Sequence, residues 1–148
     1  MKIQFAEGLQ RFNKIYREMD EFYHKVALEC GVSDSAFWIL YAICEGGDGC
    51  LQKDICEMFS VSKQTVHSAI HKLEKEGYLY LEAGKGKDKH IFLTEQGNRF
   101  IEEKIEPVIT LENNSMSELG EDEAVQMLRT MERYLSFLQK NYSYTKED

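Results

Sequence analysis

A chain of 148 residues with 43% hydrophobic side chains has the material for one core of ordinary size, and at roughly 100–200 residues per domain one domain is expected. No apolar run approaches the ~18 residues of a membrane span, and the leading MKIQFAEGLQRFNK lacks a signal peptide's apolar stretch, so a soluble, cytoplasmic protein with no membrane partner is expected. The net charge of −8 disfavours a polyanionic partner, except that residues 51–94 stand at +1 while residues 1–50 stand at −3 and residues 95–148 at −6.

The first element is a long helix over about residues 3–30. Phe5, Leu9, Phe12, Tyr16, Met19, Tyr23, Val26 and Cys30 recur at alternating spacings of four and three, the heptad seam of a helix that packs on another long helix. Gly31 ends it, and Ser33 caps a second helix whose Phe37, Trp38, Leu40, Tyr41 and Ile43 predict burial on most sides. The cluster Gly46-Gly47-Asp48-Gly49 stops that helix. Two short helices follow. Gln52 to Phe59 turns Ile55, Met58 and Phe59 inward, Ser60-Val61 makes the turn, and Ser62 caps a helix that reaches Glu76 and stops at Gly77. On that last helix Val66, Ala69, Ile70 and Leu73 share one face, and Gln64, Ser68, His71 and Lys75 the opposite one.

Tyr78–Glu82 and His90–Leu93 are rich in aromatic and branched residues and read as two strands. Between them Ala83-Gly84-Lys85-Gly86-Lys87-Asp88-Lys89 is a flexible, basic hairpin tip. Thr94 caps a long helix containing Phe100, Ile101, Ile105, Val108, Ile109 and Leu111. After Leu119-Gly120 a final helix carries a second seam: Ala124, Leu128, Met131, Leu135, Leu138 and Tyr142. The expected fold is mainly α with a small β-hairpin wing. It is a winged helix-turn-helix over 33–94, flanked by dimerisation helices over 1–31 and 95–148, in a single domain 1–148.

Residues 51–97 carry the function. A helix fits the DNA major groove, and its outward side chains must be hydrogen-bonding groups of modest size to reach base edges. Ser62, Gln64, Thr65, His67, Ser68 and His71 meet that need, and Lys63 and Lys72 flank them within reach of phosphates. The glycines of the hairpin let it lie close to a nucleic-acid backbone, where Lys85, Lys87 and Lys89 supply cations.

Here QKDICEMFSVSKQTVHSAIHKLEKEGYL and HIFLTEQG resemble the MarR family of bacterial regulators, at its helix-turn-helix and its wing-to-helix joint. Helix-turn-helix, basic hairpin and Leu-Thr-Glu-x-Gly occur together in that family's order, and the flanking helices are similar in order and length. The resemblance implies a homodimer held by the terminal helices and bound to double-stranded DNA at a pseudo-palindromic operator. It implies a repressor of transcription released by a small aromatic or lipophilic effector between the dimerisation and DNA-binding regions. For that effector the aromatic side chains of the first two helices, Phe12, Tyr16, Phe37, Trp38 and Tyr41, are the expected lining. Many members carry Asp-x-Arg in the wing. The matching positions here are Lys85-Gly86-Lys87, so Lys87 takes the arginine's place without its acidic brace.

Competing chemistries find less support. The polar remainder of the first and last helices favours a partner chain over internal packing for their seams. His67 and His71 have the i, i+4 spacing of metal ligands, but apart from Glu74 and Lys75 nearby no Cys, Glu or His lies close on that face to complete a site, so no metal and no cofactor are expected. Cys30, Cys44 and Cys56 fall on or beside apolar faces, which favours core filling over redox sensing. No G-x-S-x-G, phosphate-cradling loop or H-E-x-x-H occurs, so an enzyme is not expected. The alternative of a different class is a winged helix used as a protein–protein module, favoured by the chain's acidity.

Overall fold

The structure is a computed structural model that describes residues 3–59 and 62–144. It divides into two compact units, Met1–Glu106 and Pro107–Asp148. The first holds helices α1 (Glu7–Cys30), α2 (Asp34–Gly46), α3 (Gln52–Phe59) and α4 (Lys63–Lys75), strands β1 (Leu79–Ala83) and β2 (Lys89–Leu93), helix α5 (Glu95–Phe100) and a π-helical turn, Ile101–Ile105. Helices α6 (Glu106–Leu119) and α7 (Glu121–Tyr144) follow.

Helix boundaries lie where short polar side chains and glycines put them. Ser33 Oγ accepts from the Ala36 amide at 3.3 Å, Ser62 Oγ from the Thr65 amide at 3.1 Å, and Thr94 Oγ1 from the Gly97 amide at 3.0 Å. Gly31 closes α1 in the left-handed region at φ 80°, its amide reaching back to the carbonyls of the last turn.

Around α2 the core assembles. Phe37, Leu40 and Ile43 are fully buried, as are Ile55 of α3, Ile70 and Leu73 of α4, Leu79 and Ile91 of the hairpin, and Ile105. The strands pair antiparallel from Leu79↔Leu93 to Ala83↔Lys89, and Leu51 forms a bridge to His90 on the other edge of β2. The hairpin is thus tied to the α2–α3 connection: Ile91 N donates to Cys50 O at 2.9 Å, and Leu93 N to Asp48 Oδ1 at 2.9 Å. Among the described glycines Gly97 makes the closest approach, because a Cβ there would collide with the carbonyl oxygen of Tyr78. The Leu-Thr-Glu-x-Gly pattern therefore combines a cap (Thr94) with a backbone crossing that only glycine permits.

Several expectations need correction. The first helix begins at Glu7 rather than near Ile3, because Ala6 is extended (ψ 144°) and has no side chain to cap the free amides. Ile55 is buried as expected, but Met58 is exposed, lying along α2 near Gly46 instead of in the core. The Ser60-Val61 turn and the side chain of Phe59 lie outside the described residues. The helix begun by Thr94 is not regular: at the π turn the Glu106 amide reaches the Ile101 carbonyl, five residues back. Pro107, which has no N–H and whose ring crowds a regular helix, follows directly.

Both seams are open in the single chain. Leu9, Phe12, Tyr16 and Met19 of α1 are exposed, whereas lower down Ala27 is buried and Tyr23 meets Trp38 of α2 at 5.0 Å between ring centroids. On α7 Leu128, Met131, Leu135, Leu138 and Tyr142 are each about half exposed or more. Among the described residues no single helix is long and apolar enough to cross a membrane.

Candidate nucleic-acid interface

α4 presents Ser62, Lys63, Gln64, Thr65, His67, Ser68, His71 and Lys72 on its exposed side while Val66, Ile70 and Leu73 hold its other face in the core. Local contacts divide that polar row. Ser62 and Thr65 share a hydroxyl–hydroxyl bond of 2.8 Å in addition to the cap, so both hydroxyls are partly spent on starting the helix. Lys72 Nζ lies 3.9 Å from Glu76, and His71 Nδ1 lies 3.1 Å from Glu74. At 4.2 Å between centroids, the His67 and His71 rings meet edge to face.

His67 is held from another helix. Gln52 Nε2 of α3 donates to His67 Nδ1 at 3.2 Å, which makes Nδ1 the acceptor and leaves the neutral ring's N–H on Nε2. Gln52 thus orients a side chain of the candidate reading face. The sequence marked Gln52 only as the first residue of its helix.

The wing closes through a tight turn: Gly84 N donates to Asp88 O at 2.9 Å and Asp88 N to Lys85 O at 3.2 Å, with Gly86 at φ 67°. Asp88 then accepts from Lys53 Nζ of α3 at 3.4 Å. This pair ties the wing tip to the helix-turn-helix 35 residues away, a link no local pattern could reveal. A groove of about 290 Å³ between α3, α4 and the wing is bordered by Lys53, Lys63, Lys87 and Lys89, with His67 and Asp88. Four ammonium groups around one carboxylate make it cationic in a chain of net charge −8. Lys63 from the helix and Lys87 and Lys89 from the wing are thus brought together, and Lys53, which sequence reasoning left unassigned, joins them. Gln64, Ser68 and Lys72 border a second, open groove along α4. Lys85 is exposed at the wing tip and lines neither groove.

Of the five aromatic residues expected to line one effector cleft, Phe37, Trp38 and Tyr41 share ring contacts of 5.2 to 6.2 Å between centroids. Phe37 is fully buried in the core, and Phe12 and Tyr16 are exposed and stacked on each other at 6.4 Å. Trp38 and Tyr41 pack edge to face at 5.5 Å, and Trp38 borders a cavity. Burial pushes the Cys30, Cys44 and Cys50 thiols up, away from the reactive thiolate form.

Residues 31–88 match the family model described as MarR family, and the fold of the chain is the winged helix of MarR regulators. A MarR family regulator from Neisseria meningitidis matches with a TM-score of 0.81 at 18% identity, over 95% of this chain and 99% of that one. The S. aureus MepR–DNA complex matches with a TM-score of 0.70 at 24% identity, over 91% and 99%. Staphylococcus aureus MarR in complex with salicylate and kanamycin matches with a TM-score of 0.68 at 17% identity, over 90% and 91%. No curated protein matches the chain by sequence.

Proposed function

We propose that this chain is a MarR-type transcriptional regulator that binds double-stranded DNA as a homodimer at a pseudo-palindromic operator. It represses transcription and is released by a small aromatic or lipophilic effector. The observation that carries this reading is the cationic groove joining Lys63 and His67 of α4 to Lys87 and Lys89 of the wing. A helix and a hairpin sharing one basic groove suit a duplex, the helix in the major groove and the wing along the adjacent backbone. The fold match to a MepR structure solved with DNA supports it further. In this reading residues 33–94 form the DNA-reading region, and residues 1–31 and 95–148 supply the dimerisation helices, whose exposed seams a second copy covers. Two-fold symmetry then sets the operator half-sites about one helical turn apart.

Capture of genomic fragments at low salt, followed by sequencing of the retained DNA, tests the reading. Enrichment of one inverted repeat is expected. Absence of any retained DNA would favour the winged helix as a protein–protein module.

The two parts of the interface are expected to fail differently. Gln64 is exposed on the front half of α4, where side chains reach base edges; Lys87 is on the wing tip. Gln64→Ala is expected to lower the ratio of operator to random-DNA affinity by about 1–3 kcal/mol while leaving the salt slope nearly unchanged. Lys87→Ala is expected to weaken both DNAs alike and to reduce the slope of log affinity on log salt by about 0.9. Identical shifts for the two variants on both DNAs would end this division between helix and wing.

A further inference from the structure

Between α2, α3 and α4 lies a cavity of about 240 Å³ that adjoins the open groove along α4 through Ser35 and Thr65. Trp38, Ile55 and Val66 form its apolar walls, and Asp34, Ser35 and Thr65 form a polar rim. Among the described residues no lysine, arginine or histidine lines it, and the charged group that does is the Asp34 carboxylate. Asp34 is about half exposed, and His24 Nδ1 of α1 lies 2.9 Å from its Oδ1 and 3.0 Å from its Oδ2, which leaves each oxygen a further acceptor position.

Size and charge together select a ligand. An apolar cavity of roughly 150 Å³ holds a benzene ring, so 240 Å³ holds one ring with a short arm. A flat ring packs against the Trp38 indole, and a cationic arm is drawn both to the indole face and to the carboxylate at the rim. A carboxylate arm would be repelled there. The positive N-terminal end of α2 does not reverse this preference, because Asp34 is itself the acidic residue of that first turn.

We propose that this cavity is a binding site for a small single-ring aromatic amine, held with its ring against Trp38 and its ammonium group at Asp34. The site shares no lining residue with the lysine-bordered groove between α3, α4 and the wing, and is opposite to it in charge. It touches Thr65 and Val66 in the first turn of α4, so a seated ligand presses on the helix that carries the candidate base-reading residues. The binding site stands on geometry and charge alone; its effect on DNA rests on the function proposed above.

Trp38 is the sole tryptophan of the chain, so intrinsic fluorescence reports from the cavity wall. The probes are phenethylamine, phenylacetate and phenethyl alcohol, titrated into the full chain without DNA at pH 7 and constant ionic strength. Phenethylamine is expected to change the Trp38 signal saturably and to bind at least about fivefold more tightly than the alcohol, the worth of one half-exposed charge contact. Phenylacetate is expected to bind more weakly than the alcohol. Asp34→Asn is expected to bring the amine down to the alcohol's affinity, and Ser35→Phe, which fills the mouth, to abolish both responses with helical circular dichroism unchanged. Phenylacetate binding as tightly as the amine, or an amine response that survives Ser35→Phe, would overturn the proposal. Should Asp34→Asn unfold, the wild-type ranking of the three probes and Ser35→Phe still decide. A separate arm repeats the titration with DNA present. Amine binding with no DNA binding at any salt would sink the regulatory reading and leave the site standing, whereas DNA binding with no saturable amine response would do the opposite.

Discussion

Gly97→Val is expected to leave the chain largely unfolded at 37 °C, and Gly97→Ala to lower its midpoint of thermal unfolding by about 10 °C. A Cβ at this position collides with the carbonyl oxygen of Tyr78, and both groups are anchored. The Tyr78 carbonyl accepts from the Thr94 amide at 3.1 Å, while the Gly97 amide is fixed by Thr94 Oγ1. The collision is between a side chain and backbone, so no rotamer change relieves it. α5 would have to lift off the start of the hairpin, opening the contacts of buried Leu79 and Ile91. Overpacking of this kind costs about 3 kcal/mol or more, and each kcal/mol is worth about 2–4 °C in a domain of this size. Gly8→Ala is the control, because nothing lies within 4 Å of its missing Cβ and alanine is the better helix former. Differential scanning calorimetry of the three variants decides it. A Gly97→Ala midpoint within about 2 °C of wild type would show that α5 shifts freely.

The second large effect concerns assembly. Leu135 is 54% exposed in the single chain and Phe12 is 41% exposed, each in the middle of an apolar row on its helix. If a second copy covers these rows, Leu135→Asp places a carboxylate in a water-excluded contact. At a cost of about 3 kcal/mol per buried, unpaired polar group, the dimer dissociation constant rises more than about a hundredfold. The wild-type protein is expected to sediment at twice its 17.3 kDa chain mass at micromolar concentration, and Leu135→Asp and Phe12→Asp at the mass of one chain. A wild-type mass of 17.3 kDa would remove the homodimer from the proposed function. Equal masses for wild type and both variants would show that solvent, not a partner, faces the two rows.

What the sequence determined by itself was what neighbouring residues decide among themselves. Ser33, Ser62 and Thr94 cap their helices because each hydroxyl needs only an amide three residues on, and Gly31 ends α1 because it alone among its neighbours takes a left-handed φ without strain. The hairpin was legible from its aromatic and branched residues on either side of a basic tip, and the buried face of α4 from its period of 3.6. So was the local excess of lysine, which placed the candidate grip in the only stretch of the chain that is not acidic. The tertiary structure decided what depends on residues far apart in the chain. Periodicity places Phe37, Trp38 and Tyr41 on one helix, but α3 and α4 decide that Phe37 fills the core while Trp38 walls a cavity that holds a carboxylate. Gln52 on His67, Lys53 on Asp88 and the Leu51–His90 bridge span 15 to 39 residues, and nothing in either partner's neighbourhood announces the other. The same holds for Gly97, whose necessity comes from a carbonyl 19 residues earlier. Hydrogen bonds and close contacts act over a few ångströms in space, so the caps were readable in the chain and these pairings only once it had folded.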